Sequence, residues 1–253
     1  MTAHLSIVGL TKRFGGVVAS DGITLDFAPG SLTAIIGPNG AGKTTFFNLI
    51  SGSLQPDSGK ILLDGADIAG HSQSEIVRRG IGRAFQVASI FPQFTVEEAL
   101  TAAVLSHRGQ TASIFRRFPL PGATARAREI MALVGLERVA RTPSRYLSHG
   151  DQKLLDIALA LSLEPKILLL DEPTAGMGPD ERWQMIDRVQ RLWSEVGMTL
   201  VFIEHDMDIV FKIAQTIRVL RYGSVLAEGT PDEIRVNPAV IEAYLGTSLE
   251  AHS

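Results

Sequence analysis

Strands alternating with helices predict an α/β fold, a mostly parallel sheet covered by helices on both faces. Three observations carry that expectation. Apolar runs of strand length lie at residues 31–36, 167–170 and 199–203. An amphipathic helix is written at residues 179–196, between the last two of those runs. The signals from residue 95 to about 163 are helical, so the middle third reads as a subdomain inserted into the sheet core. On this reading residues 1–90 and 164–253 form the core with its N-terminal strands, and residues 91–163 form the helical insertion.

Each element has its own signal. Residues 5–10 are apolar, residues 23–27 alternate, and Pro29-Gly30 marks a turn. The buried strand at 31–36 runs into Gly37-Pro38-Asn39-Gly40-Ala41-Gly42-Lys43-Thr44-Thr45, after which Phe46, Phe47, Leu49 and Ile50 suggest a helix ending near Gly52. Short strands follow at 61–63, before Asp64-Gly65, and at 81–85, ending at Gln86. Val96, Ala99, Leu100, Ala103 and Val104 share one helix face. A loop is expected at 106–124, then helices at 126–134 and 151–163. In the helix at 179–196, Met185, Ile186, Val189, Leu192, Trp193 and Val196 form one apolar stripe, closed by Gly197. The tail holds a hairpin around Tyr222-Gly223-Ser224 and a last helix near 238–245.

Composition excludes several function classes. The 253 residues are 45% hydrophobic and 20% charged, ordinary for a soluble globular chain. Twenty-four Lys and Arg against 27 Asp and Glu leave a formal charge of −3, which argues against a dedicated nucleic-acid binder. With no cysteine there is no disulfide, thiolate nucleophile or cysteine–zinc site. The six histidines are scattered without metal-ligand spacing. No run approaches the roughly 20 apolar residues of a membrane-spanning helix, and Met1-Thr2-Ala3-His4 lacks signal-peptide character. A cytosolic chain is expected, and any membrane role would need partner chains. Arg108, Arg116, Arg117, Arg126 and Arg128 give the 106–128 region a basic character. Two readings apply to it, a solvated face, which is favoured, or a contact with a permease or anionic lipid.

The strongest motif is Gly37-x4-Gly42-Lys43-Thr44, a phosphate-binding P-loop between an expected strand and an expected helix. Glycines let the backbone wrap closely around a polyphosphate and aim N–H groups at it, and the helix presents its positive end to the anion. Lys43 reaches the β- and γ-phosphates, and the Thr44 hydroxyl is placed for Mg²⁺. The second motif ends the strand at 167–170 with Asp171-Glu172, at the sheet edge where open α/β folds bind ligands. Asp171 would hold Mg²⁺, directly or through water, and Glu172 would polarise the attacking water. By itself the pair could be two solvated acids at a strand end. A P-loop about 130 residues upstream argues against that, since phosphoryl transfer rests on lysine, metal and one carboxylate. Leu147-Ser148-His149-Gly150-Asp151-Gln152 opens a helix, with Ser148 either a plain N-cap or part of a second phosphate-facing helix start.

Taken in order, the P-loop, Gln86, Leu147-Ser148-His149-Gly150-Asp151, Leu170-Asp171-Glu172-Pro173-Thr174 and His205 resemble the ATP-binding subunit of an ABC transporter over essentially the whole chain. The resemblance implies a P-loop NTPase core with an N-terminal antiparallel β subdomain and an inserted α-helical subdomain. It implies that Phe14 stacks on adenine and that residues 37–45 hold ATP. Gln86 would sense Mg²⁺ and the attacking water, and His205 would contact the γ-phosphate. Ser148 and Gly150 would contact the γ-phosphate bound to the opposite subunit. Glu172 and His205 together speak for hydrolysis rather than binding alone. Two departures stand out. The commonest signature reads LSGGQ, here Leu-Ser-His-Gly-Asp, and Gly178 replaces the usual aspartate after the second carboxylate, which puts a cross-dimer contact in doubt.

Leu147–Gln152, Ala175-Gly176-Met177, Glu204-His205-Asp206-Met207 and Ile241-Glu242-Ala243-Tyr244-Leu245-Gly246 look like the subfamily serving importers of branched-chain and other hydrophobic amino acids. Urea and short-amide importers share much of this pattern, and lipopolysaccharide-export ATPases share it more weakly. A soluble non-transport member of the family is the remaining alternative. The implied partners are two transmembrane permease subunits, a second ATPase subunit, related or identical, and an extracytoplasmic substrate-binding protein. Nucleic acid is not among them. The implied location is the inner face of the cell membrane.

Overall fold

Apolar alternation in the first quarter of the chain produces an antiparallel sheet. The computed structural model describes residues 4–84, 92–107 and 121–250. Strand β1 (Leu5–Phe14) turns through Gly15-Gly16 into β2 (Val17–Phe27). After β3 (Leu32–Ile36) and α1 (Lys43–Ile50), strand β4 (Ser58–Leu63) returns to the other edge of β1, and β5 (Ala66–Asp67) follows the Asp64-Gly65 turn. The resulting order is β2-β1-β4-β5.

The second sheet has the expected parallel character. Helix α2 (Gln73–Arg79) leads into β6 (Ile81–Arg83), and α3 (Val96–His107), α4 (Pro121–Val134) and α5 (His149–Leu161) make the helical middle third. Then come β7 (Ile167–Asp171), α6 (Pro179–Val196), β8 (Thr199–Ile203), α7 (Met207–Ile213), β9 (Thr216–Arg221), β10 (Ser224–Gly229), α8 (Pro231–Arg235) and α9 (Pro238–Glu250). The sheet order is β10-β9-β3-β8-β7-β6, parallel except for β10, which forms the expected hairpin with β9.

Period-2 alternation splits the central strands between two apolar clusters. Ile35, Ile167, Leu169, Val201 and Ile203 face α1 and the antiparallel sheet, packing with Phe27, Phe46 and Phe47. Ala34, Ile36, Leu168, Leu170, Leu200 and Phe202 face the other way, onto α6 and α7 and, within the same cluster, the apolar faces of α3, α4 and α5. Both faces of β3 and β8 are buried, which is why those strands read as mostly apolar runs rather than as alternating ones.

Several boundaries differ from expectation. Helix α4 starts at Pro121, so residues 121–124 are not loop, because proline is tolerated in a first helical turn, where its missing N–H has no partner to lose. Arg126 and Arg128 therefore sit on a helix, paired with Glu129 at 2.9 Å and Glu97 at 2.6 Å. Arg108, Arg116 and Arg117 lie outside the described residues. Helices α2, α7 and α8 were not expected. Each is short and starts at a capping side chain: Ser72, Asp206 and Thr230. Trp193 leaves the buried stripe of α6 half-exposed and donates its indole N–H to the Gly30 carbonyl at 3.0 Å.

Candidate active site

Because β3, β8 and β7 are neighbours aligned in parallel, Ile35 and Asp171 both lie opposite Ile203, and the loops after the three strands emerge side by side. Gly37 has φ +152° and a Cβ there would come within 2.1 Å of the Leu220 carbonyl oxygen. Gly42 has φ +98° and a Cβ would meet the Ala19 carbonyl at 2.3 Å. The loop between them is thus pressed against the ends of β9 and β2. The Gly223 N–H donates to Ala41 O at 3.1 Å and braces it further.

Gly42 is also the N-cap of α1. It offers no side-chain cap, and the first turn carries no acid. The positive helix end is therefore left without a side-chain acceptor and points at the loop's concavity. Asn39, Gly40, Ala41, Gly42, Lys43, Thr44 and Thr45 line that pocket together with Glu172 and His205. Pro38 contributes from behind: buried Lys43 donates from Nζ to Gly37 O at 2.7 Å and to Pro38 O at 3.0 Å. Burial lowers the Lys43 pKa, against the pull of Glu172 and Asp171, which favours the charged form.

The two carboxylates differ in their surroundings. Asp171 Oδ2 accepts from Arg83 at 2.7 Å, and Arg83 also reaches Asn48 Oδ1 at 2.6 Å and Ser51 Oγ at 3.2 Å, joining β6, α1 and β7. Glu172 has a left-handed backbone, φ +48°, unusual for a side-chain-bearing residue and costing about 1–3 kcal/mol. Its N–H donates to Ile203 O at 3.0 Å, and its Oε1 accepts from His205 Nε2 at 2.8 Å. Buried Glu204 anchors the adjoining loop, accepting from the Thr174 N–H at 3.0 Å and the Thr174 hydroxyl at 2.6 Å. The exposed Thr44 lies between the two, lining both the phosphate-loop pocket and its neighbour, which holds Arg83, Lys153, Asp171 and Glu172.

The remaining sites lie apart from this cluster. Ser148 and Gly150 line a different pocket, with Arg138, Asp151 and Glu181, that shares no residue with the phosphate-loop pocket. Ser148 is the N-cap of α5, its Oγ accepting from the Asp151 N–H at 3.1 Å, and buried Asp151 is held by Arg138 at 2.5 Å. Phe14 is exposed at the end of β1 beside Val17 of the phosphate-loop pocket, with Lys12 Nζ 5.7 Å from its ring centre. Gly178 is the N-cap of α6 and brings no side chain to it. Gln86 lies outside the described residues. Sequence reasoning missed Arg83, Glu204 and Lys153. An arginine in an otherwise apolar strand was the available signal for Arg83.

A lysine, a hydroxyl, an open helix end and a carboxylate–imidazole pair around one pocket suit a polyphosphate and the activation of water beside it. Known proteins agree with that chemistry. A family model described as ABC transporter matches residues 20–175, and one described as branched-chain amino acid ATP-binding cassette transporter matches residues 224–250. The chain is 40% identical over 249 residues to the high-affinity branched-chain amino acid transport ATP-binding protein BraF of Pseudomonas aeruginosa, covering 96% of this chain and 97% of BraF. Its fold superimposes on the ADP conformation of MJ1267, an ATP-binding cassette of an ABC transporter, with TM-score 0.85 at 29% identity, covering 97% of this chain and 100% of that one. A dimeric post-hydrolysis state of the cassette MJ0796, bound to ADP and Pi, matches with TM-score 0.74 at 26% identity over 90% of this chain and 98% of that one.

Proposed function

The chain belongs to the ABC transporter family of ATP-binding cassettes, and on that premise we propose that it is the ATP-hydrolysing subunit of an importer of branched-chain or other hydrophobic amino acids. The convergence of Lys43, Thr44, Glu172 and His205 on one pocket carries the hydrolysis reading. Similarity to BraF along nearly the whole chain supports the substrate class.

Phosphates of ATP enter the cradle of residues 37–45, where backbone N–H groups and the start of α1 meet their charge. Lys43 leaves its carbonyl partners for the β- and γ-phosphates. Phe14 stacks on adenine. Among the described residues no three His, Cys, Asp or Glu cluster as a metal site. That fits Mg²⁺, which typically takes one or two protein oxygens and completes its shell with phosphates and water. Thr44 and Asp171 would supply those oxygens, Asp171 through the carboxylate oxygen that Arg83 does not hold; Gln86, the further ligand the resemblance implies, lies outside the described residues. Held there, Mg²⁺ would supply positive charge to the phosphate oxygens. Glu172 orients the attacking water and takes its proton, while His205 holds the Glu172 carboxylate and contacts the γ-phosphate.

A single chain supplies half of each site. Ser148 and Gly150, on the helical subdomain of residues 91–163, serve the ATP held by a second ATPase subunit, in keeping with their separate pocket. Among the described residues no helix is long and apolar enough to cross a membrane, so transport requires permease partners. The complex then comprises two permeases, two ATPase subunits at the inner face of the membrane and an extracytoplasmic binding protein.

Native purification from crosslinked membranes, with mass spectrometry of co-purifying chains, tests this. Two permeases, a second ATPase and a binding protein that takes up branched-chain amino acids are expected. A binding protein selective for urea or short amides, a lipid-export apparatus, or soluble partners alone would overturn the assignment.

A further inference from the structure

The signature departs from its commonest form at His149, and the side chain there has a partner. His149 Nε2 lies 3.0 Å from the Ala175 carbonyl oxygen. A carbonyl only accepts, so Nε2 carries the proton. The ring also lies against Gly176: a Cβ on that residue would meet Nε2 at 3.1 Å and Cδ2 at 3.4 Å. One helical turn on, and so on the same face of α5, Lys153 Nζ approaches the Glu172 carbonyl at 3.4 Å. Both contacts end on the loop that joins β7 to α6. Its far side is tied to the end of β8 through Thr174 and Glu204.

We propose that His149 is a positioning residue that ties the start of the signature helix to the loop carrying Glu172 within one chain. The inference rests on the proposed roles of Glu172 and Ser148. A residue strained into the left-handed region stays there only when its surroundings hold it. Glu172 is such a residue, and its surroundings include α5 on one side and Glu204 on the other. Ser148, which faces the partner's nucleotide, is the immediate neighbour of His149. A shift of the α5 start on engaging that phosphate therefore pulls on the Ala175 carbonyl, three residues from Glu172 and hydrogen-bonded to it through the Ala175 N–H at 3.1 Å. Each chain thereby links the two half-sites it contributes.

The test compares His149→Ala, His149→Gln and Glu172→Gln with wild type, each full-length and purified with its partners. His149→Ala is expected to lower kcat about tenfold with KM for ATP within twofold, because misplacing a catalytic group acts on turnover. Amide exchange over residues 172–178 should rise, while exchange in the middle of α5 stays unchanged. Glutamine presents an N–H near the Nε2 position, so His149→Gln should restore both readouts to near wild type. Wild-type kcat and exchange in His149→Ala, beside an inactive Glu172→Gln, would overturn the link and leave the site reading standing. Loss of turnover in both His149 variants together with a lowered Tm would overturn it as well. An active Glu172→Gln would instead remove Glu172 from its role, and the exchange measurement alone would then decide the link.

Discussion

Two helix starts in this molecule carry opposite designs. Helix α1 begins at a glycine in left-handed conformation, with no side-chain cap and no acid in its first turn. Helix α5 begins at Ser148, which caps the Asp151 N–H, and Asp151 is itself held by Arg138. Helices α2 and α8 go further, closing their starts with reciprocal capping boxes at Ser72–Glu75 and Thr230–Glu233. An uncapped start costs stability unless something else takes its N–H groups. On the proposed function the open start of α1 serves the nucleotide phosphates, in a concavity beside three strand ends. At the start of α5 the Asp151 N–H is already taken by the Ser148 hydroxyl oxygen, and what remains for a ligand is the Ser148 hydroxyl proton and the bare Gly150 backbone. One start can hold an anion by itself, and the other suits an anion brought by a second molecule.

The sharpest way to break this contrast is at the open site. Glu172→Gln should lower kcat by about 10²–10³, the scale of a lost general base, while ATP binding persists; phosphate release under saturating ATP, with nucleotide binding measured in parallel, checks both halves. Next comes Lys43→Ala, which removes charged hydrogen bonds worth about 1.5–3 kcal/mol and should weaken ATP roughly 10–150-fold in a direct binding titration. Arg83→Ala leaves the Asp171 carboxylate without its partly buried partner and should destabilise the fold by about 3 kcal/mol, read from denaturant unfolding.

At the α5 start, two substitutions separate capping from phosphate contact. Ser148→Ala loses the cap and about 1 kcal/mol of stability. Ser148→Asp keeps an equally good cap but sets a negative charge against the partner's phosphate. It should unfold like wild type yet lose turnover in the complex. Equal turnover in Ser148→Asp and wild type would make that serine a plain cap.

The smallest effect concerns the closed starts. Hydrogen bonds from Ser72 hold the Glu75 carboxyl below the ordinary glutamate value of 4.5, and those from Thr95 and Thr230 do the same for Glu98 and Glu233. A carboxylate depressed in the folded state stabilises fully above its unfolded pKa and loses that contribution as pH falls through the folded value. Tm should therefore decline below pH 4.5, the ordinary value. A Glu75→Gln, Glu98→Gln, Glu233→Gln triple variant, which keeps the acceptors but cannot titrate there, should flatten that decline.

Much of this was legible in the linear chain. The helix Pro179–Val196 and the strand Thr199–Ile203 stand where their periodicity put them, since both are long or strongly apolar enough for burial to dominate. Helices α2 and α8 were missed although Ser72-x-x-Glu75 and Thr230-x-x-Glu233 spelled out their starts; five to seven residues give periodicity too little length to register. The start of α4 was misread because Pro121-Gly122 resembles a turn. In the candidate site, the phosphate loop and the Asp171-Glu172 pair were readable because contiguous residues build them. The Arg83–Asp171 tie was not, because its partners lie 88 positions apart.

The sequence by itself determined the order of the main strands and longer helices, the phosphate loop and the strand that delivers the carboxylates, because backbone conformation, capping and apolar period act over a few neighbouring residues. Only the tertiary structure decided that His205 would meet Glu172, that Arg83 would hold Asp171, and that His149 would reach the Ala175 carbonyl. Those contacts depend on the order of strands in the sheet and on how α5 packs beside β7. Both are set by burying apolar surface that is contiguous in space but dispersed along the chain.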